Sequence, residues 1–185
     1  LDREAALDFY AGHYAPNNAV LIVAGAVTPQ EVRDLAQEHY GTIPPNPAIA
    51  PRLRPQEPPQ PAERRIVLAD PRVSEPYLLR TYLAPARRTG NQADAAALSV
   101  LASLLGGTAA TSVLGQALEF DRRIAVHSGA FYDPTALDLS QFGLIVVPAE
   151  GVTLEVAEAA LDETLARFLD DGPDPEAFAR VMARL

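Results

Sequence analysis

The sequence predicts an α+β fold, a mainly antiparallel sheet with helices packed on one face, and three observations carry that reading. Two strand-like runs, Ile124 to Tyr132 and Leu139 to Val147, follow one another through Asp133-Pro134, a connection short enough to make them antiparallel neighbours. Long segments with apolar residues at helical spacing flank them, above all Thr153 to Leu169. Finally, eight of the 17 prolines fall between Pro44 and Pro61, where missing N–H groups and a restricted backbone forbid regular pairing and divide the chain into two parts.

Taken in order, Asp2 caps a first helix over Arg3 to His13, which Pro16 closes. Ala19 to Val27 is apolar at nearly every position and predicts a buried strand. Thr28-Pro29-x-Glu31 combines a capping hydroxyl, proline at the first helical position and an acidic first turn, so a helix runs from there to about His39, before Gly41. Beyond the prolines come strands at Arg65 to Leu68 and Tyr77 to Leu83, a helix from Asn91 to Leu105 and a shorter one from Thr111 to Phe120. The facing strands follow, then the helix capped by Thr153 and stopped before Gly172-Pro173, and Asp174-Pro175-Glu176 starts another.

Composition narrows the functional classes. With 48% hydrophobic residues in 185, the chain can bury a real core. Its longest apolar run, Ala19 to Val27, is far short of a membrane span. Against 24 acidic residues stand 15 basic ones, a net charge of -9 without a basic stripe, which removes the phosphate attraction behind nucleic-acid binding. The absence of cysteine excludes disulfides and thiolate metal sites.

Catalytic motifs are missing as well. The sequence has no Gly-x-Ser-x-Gly elbow, no P-loop lysine and no Gly-x-Gly-x-x-Gly turn. The three histidines, His13, His39 and His127, form no pair at i, i+4, and read as structural residues, so neither a catalytic nor a metal-ligating residue is expected. Gly106-Gly107-Thr108-Ala109 reads either as an ordinary helix C-cap or as a phosphate-cradling nest, and Asp170-Asp171 as a solvated helix end.

An ordered set of features does carry a resemblance. Phe9-Tyr10, Tyr14-x-Pro16-Asn17-Asn18, an apolar run ending in Gly25-x-Val27, and Tyr40-Gly41-x-Ile43-Pro44 follow one another at the start. Glu75-Pro76, the SLLGG end at Gly106-Gly107, and the segments Val113 to Asp133 and Phe142 to Pro173 continue the pattern. In this the chain resembles the pitrilysin/insulinase-type (inverzincin) zinc metallopeptidases, in the region of their inactive domain and with a bacterial processing-peptidase-like character.

The resemblance implies that residues 1–43 are the closing helix-strand-helix of a zinc-bearing domain, 44–63 a connector, and 64–185 most of a non-catalytic second domain. The chain then reads as a fragment, inactive alone, with the His-x-x-Glu-His zinc motif upstream and zinc bound only in the parent protein. The parent implied is an endopeptidase for short or unfolded peptides, enclosed by two such domains and a related subunit in a homo- or hetero-oligomer, with the periplasm preferred over the cytoplasm. The alternative of the same fold is an inactive assembly subunit like the core proteins of a respiratory complex.

Family members carry an arginine and, seven residues on, a tyrosine that help hold substrate; matching through Leu118 and Ile124-Ala125 puts Glu119 and Val126 at those positions. Neither can do that work, since one is an anion and the other lacks a hydroxyl. A shifted match, with Arg122 or Arg123 as substitute, stays open. Tyr77, Tyr82, Phe131 and Tyr132 are the substrate-facing candidates, with core packing as the competing role for each.

Overall fold

The computed structural model describes residues 2–49, 53–55 and 58–184; residues 50–52, 56 and 57 of the expected connector lie outside the described residues. The chain separates into two compact units, Leu1–Pro55 and Gln56–Leu185.

The first unit contains helix α1 (Arg3–His13), a short 3-10 turn (Pro16–Asn18) and helix α2 (Pro29–Tyr40). Local chemistry explains both helices. Asp2 Oδ1 accepts the Ala5 N–H at 2.8 Å, closing the start of α1. Thr28 and Glu31 make a reciprocal capping box at the start of α2: the Glu31 N–H donates to the Thr28 hydroxyl and the Glu31 carboxylate accepts the Thr28 N–H. Those bonds to Thr28 hold the Glu31 carboxyl below its ordinary range. The asparagines of the turn also have structural work. Asn17 exchanges two hydrogen bonds with the Asn46 backbone, Asn46 Nδ2 donates to the Ala11 carbonyl, and Asn18 Nδ2 donates to the His13 carbonyl.

Ala19 to Val27 departs from expectation. It forms no strand, and Val20 and Ile22 are 86% and 85% exposed. A strand exists through its ladder partners, and none runs beside this segment among the described residues of the unit. Neither helix of this unit buries a residue.

The second unit is built on a three-stranded antiparallel sheet in the order β1-β3-β2, with β1 at Leu78–Ala84, β2 at Ala125–Tyr132 and β3 at Ser140–Pro148. β3 pairs on both sides; the register sets Tyr82, Phe142 and Tyr132 in one row and Thr81, Gly143 and Phe131 in the next. Helices α3 (Ala93–Gly106) and α4 (Leu154–Asp171) cover one face, and α5 (Pro175–Met182) follows. Phe142, Leu144 and Val146 of β3 meet Ala102 and Leu105 of α3 and Ala157, Ala160 and Leu161 of α4 in a single core. Alternation along β3 and the spacing of four on α4 put those residues on one side of each element. Full burial of the Phe, Leu and Val side chains among them contributes roughly 1.5–3 kcal/mol each.

Two expectations fail here. Arg65 to Leu68 forms no strand, with Ile66, Val67 and Leu68 all at least 80% exposed. The expected helix from Thr111 to Phe120 is a single α turn that widens into a π-helical segment, Gly115–Asp121. Its end shows the widening, because the Arg122 N–H reaches the Ala117 carbonyl, five residues back. That winding keeps Leu114 and Leu118 wholly buried.

Candidate functional site

Among the described residues of the second unit, helices pack on one face of the sheet, and the register says which residues occupy the other. Side chains alternate along a strand, so Leu79, Thr81 and Leu83 of β1, Gln141, Gly143, Ile145 and Val147 of β3, and His127, Gly129 and Phe131 of β2 lie together. None of these positions carries Asp, Glu, Lys or Arg, on a chain whose residues are 21% charged. Leu79 is 49% exposed and Phe131 44%, while Gly143 is buried. The reason is the cross-strand pair: the Phe131 ring lies over Gly143, where a Cβ would collide with it.

The opposite face is charged only at its margin. Arg80 of β1 reaches Asp162 and Glu158 of α4, and Glu158 also accepts from Arg65. Hydrogen bonding to Asp162 raises the Arg80 pKa, and the Arg65 guanidinium first, with Arg80 helping, holds the Glu158 carboxyl below its usual range. On the same α4, Glu163 accepts from Arg122.

The four aromatic candidates therefore fall in different places. Phe131 is on the open face. Tyr82 and Tyr132 share their row with the buried Phe142 on the helix-covered side, and the Tyr132 hydroxyl donates to the Pro85 carbonyl. Burial raises the Tyr132 pKa. Tyr77 is 54% exposed and stands just before β1.

Histidines do not converge. His13 stacks on Phe9 at 4.1 Å and its Nδ1 bonds the Phe9 carbonyl, while His39 lies in α2 and His127 in β2. Among the described residues no three His, Cys, Asp or Glu side chains come together as a metal-holding group, so a zinc ion does not fit the residues present. No helix among the described residues is long and apolar enough to cross a membrane. The Gly106-Gly107 step is a helix end, where the Gly107 N–H donates to the Ser103 carbonyl at 3.1 Å.

The family model for the peptidase M16 inactive domain matches residues 1–185. This chain belongs to the peptidase M16 inactive-domain family. Among solved structures, a protease from Helicobacter pylori is similar at 22% identity with a TM-score of 0.81, over 100% of this chain and 43% of that one. A peptidase M16 inactive domain from Pseudomonas fluorescens is similar at 19% identity and a TM-score of 0.68, over 100% of this chain and 42% of that one. This M16 chain thus spans less than half the length of either structure, and both share its mixed helix-and-antiparallel-sheet fold. No curated protein matches it significantly.

Glu119 and Val126 both lie in the second unit. Glu119 sits in the π-helical segment, and one of its carboxylate oxygens accepts both the N–H and the hydroxyl of Ser128, each at 2.7 Å. Val126 is 61% exposed at a register shift of β2 between Ala125 and His127. Arg122 is committed to Glu163, and Arg123 holds a left-handed φ of 52°. No sequence signal announces the Glu119–Ser128 contact, which joins residues of two different elements nine positions apart.

Proposed function

We propose that this chain is a non-catalytic, substrate-enclosing part of a zinc-dependent metalloendopeptidase, with the zinc motif elsewhere in the protein, and that its open sheet face borders the peptide. The observation that carries the reading is the match to a peptidase inactive domain over the whole chain. The second face of the sheet supports it: a largely apolar surface free of Asp, Glu, Lys and Arg, with an exposed aromatic side chain, suits contact with short or unfolded peptide segments. Phe131 contacts substrate from the sheet, and Tyr77 does so from the start of β1. Residues 1–43 then close the zinc-bearing domain and 64–185 form the inactive one. A related subunit completes the enclosure, in the periplasm.

Phe131→Ala in the full-length protein tests this. Binding without chemistry at this face makes KM rise several-fold, roughly 1 kcal/mol of lost contact, with kcat nearly unchanged. An unchanged KM removes the open face from substrate binding. A full-length protein without stoichiometric zinc and without peptide hydrolysis would instead indicate the assembly-subunit role.

A further inference from the structure

We propose that Glu119 is a latch that closes the β2 edge of the sheet. The inference goes beyond the peptidase reading and stands independently of it. An outer strand of an antiparallel sheet turns every second N–H away from its neighbour, and a row of such donors invites pairing with another chain. β2 is such a strand. Its Ser128 is 3% exposed, and both its N–H and its Oγ donate to the same oxygen of Glu119. Without that carboxylate a buried donor would go unpaired.

Two residues on, the backbone of Ala130 lies against Gly106 at the end of α3, so closely that a Cβ there would overlap the Ala130 nitrogen. Ser128 and Ala130 alternate, and their N–H groups face the same side of β2. The edge is therefore occupied at one outward position by a carboxylate and at the next by a helix end.

Glu119 also spans a strained connection. Between it and Ser128 come Arg123 with its positive φ and the register shift at Val126, and the Ile124 N–H donates back to the Leu118 carbonyl at 2.9 Å. The latch fixes this turn by joining its two ends. An arginine at position 119 would set a donor against two donors and leave the edge open.

Amide hydrogen exchange followed by NMR on the 185-residue chain tests the latch. The Ser128 amide should exchange as slowly as that of Leu144 on the central strand. Glu119→Ala and Glu119→Arg should accelerate it by about tenfold or more while the Leu144 and Leu161 amides hold their rates. Ser128→Ala removes only the hydroxyl bond, so the amide at position 128 stays slow. A Ser128 amide that exchanges in the parent chain like an exposed one, or at the same rate in Glu119→Ala, overturns the proposal. Where neither Glu119 variant folds, the parent rate and the Ser128→Ala rate decide it.

Discussion

Ala19 to Val27 and β3 are both apolar runs that sequence alone reads as strands, and they end in opposite conditions. β3 has a strand on each side and helices over one face, and Val146 is wholly buried. Ala19 to Val27 has neither, and its Val20 stands 86% exposed. Both are rich in Val, Leu and Ile, and Ala19 to Val27 is the more apolar of the two. The difference is the partner, because a strand is stabilised by ladder bonds and face packing that neighbours supply.

Aspartate substitution gives the largest expected contrast. Val146→Asp places an unpaired carboxylate in the core and should cost about 3 kcal/mol or more, or abolish folding of the second unit. Val20→Asp should change denaturant stability by less than about 0.5 kcal/mol. Equal losses in a urea titration would mean that Ala19 to Val27 is as buried as β3. The expectation from sequence that Val23 sits in a buried strand is corrected in the same way, since Val23 is 48% exposed.

Glycine offers a second contrast between the units. Gly106→Ala pushes a methyl group into the backbone of β2, which cannot yield as a flexible side chain would, and should cost roughly 1–3 kcal/mol. Gly12 lies inside α1 with nothing within 4 Å of the position a Cβ would take. Gly12→Ala should therefore leave the first unit unchanged or stabilise it by roughly 0.5–1 kcal/mol. Thermal melts should show Gly106→Ala lowered and Gly12→Ala unchanged or raised, and a lowered melt for Gly12→Ala would show that its surroundings are misassigned.

The smallest effect is electrostatic. Arg65 and Arg80 lower the Glu158 pKa in the folded chain, so the carboxylate stabilises the second unit above its ordinary pKa, about 4.3 for an unperturbed Glu. That contribution is lost as pH falls through the lowered folded value. Glu158→Gln should cost less than about 1 kcal/mol near neutrality, because the pair is partly open to solvent, and should flatten the acid arm of the stability curve below about pH 4. An acid arm identical to the parent's would assign the pH dependence to other carboxylates.

Much of the second unit was legible from residues. Alternation placed β2 and β3 to within a residue or two, Asp133-Pro134 marked their connection, and Thr153 and Gly172 bounded α4. In the first unit Asp2 and the Thr28–Glu31 pair marked the helix starts just as plainly. All of these are local signals, carried by residues a few positions apart. The Phe131–Gly143 pair on the open face was not legible, because its register depends on which strand lies beside which.

The sequence by itself determined where helices begin and end, which runs favour extended backbone, and the peptidase-family pattern of motifs. Caps, periodicity and turn chemistry act within one turn or one strand, so they survive in a linear reading. Only the tertiary structure decided that Ile66 to Leu68 forms no strand, that the helix before β2 winds wide, and that Glu119 reaches Ser128. Those outcomes depend on a neighbour brought close by the fold, and the same residues behave differently when that neighbour is present or missing.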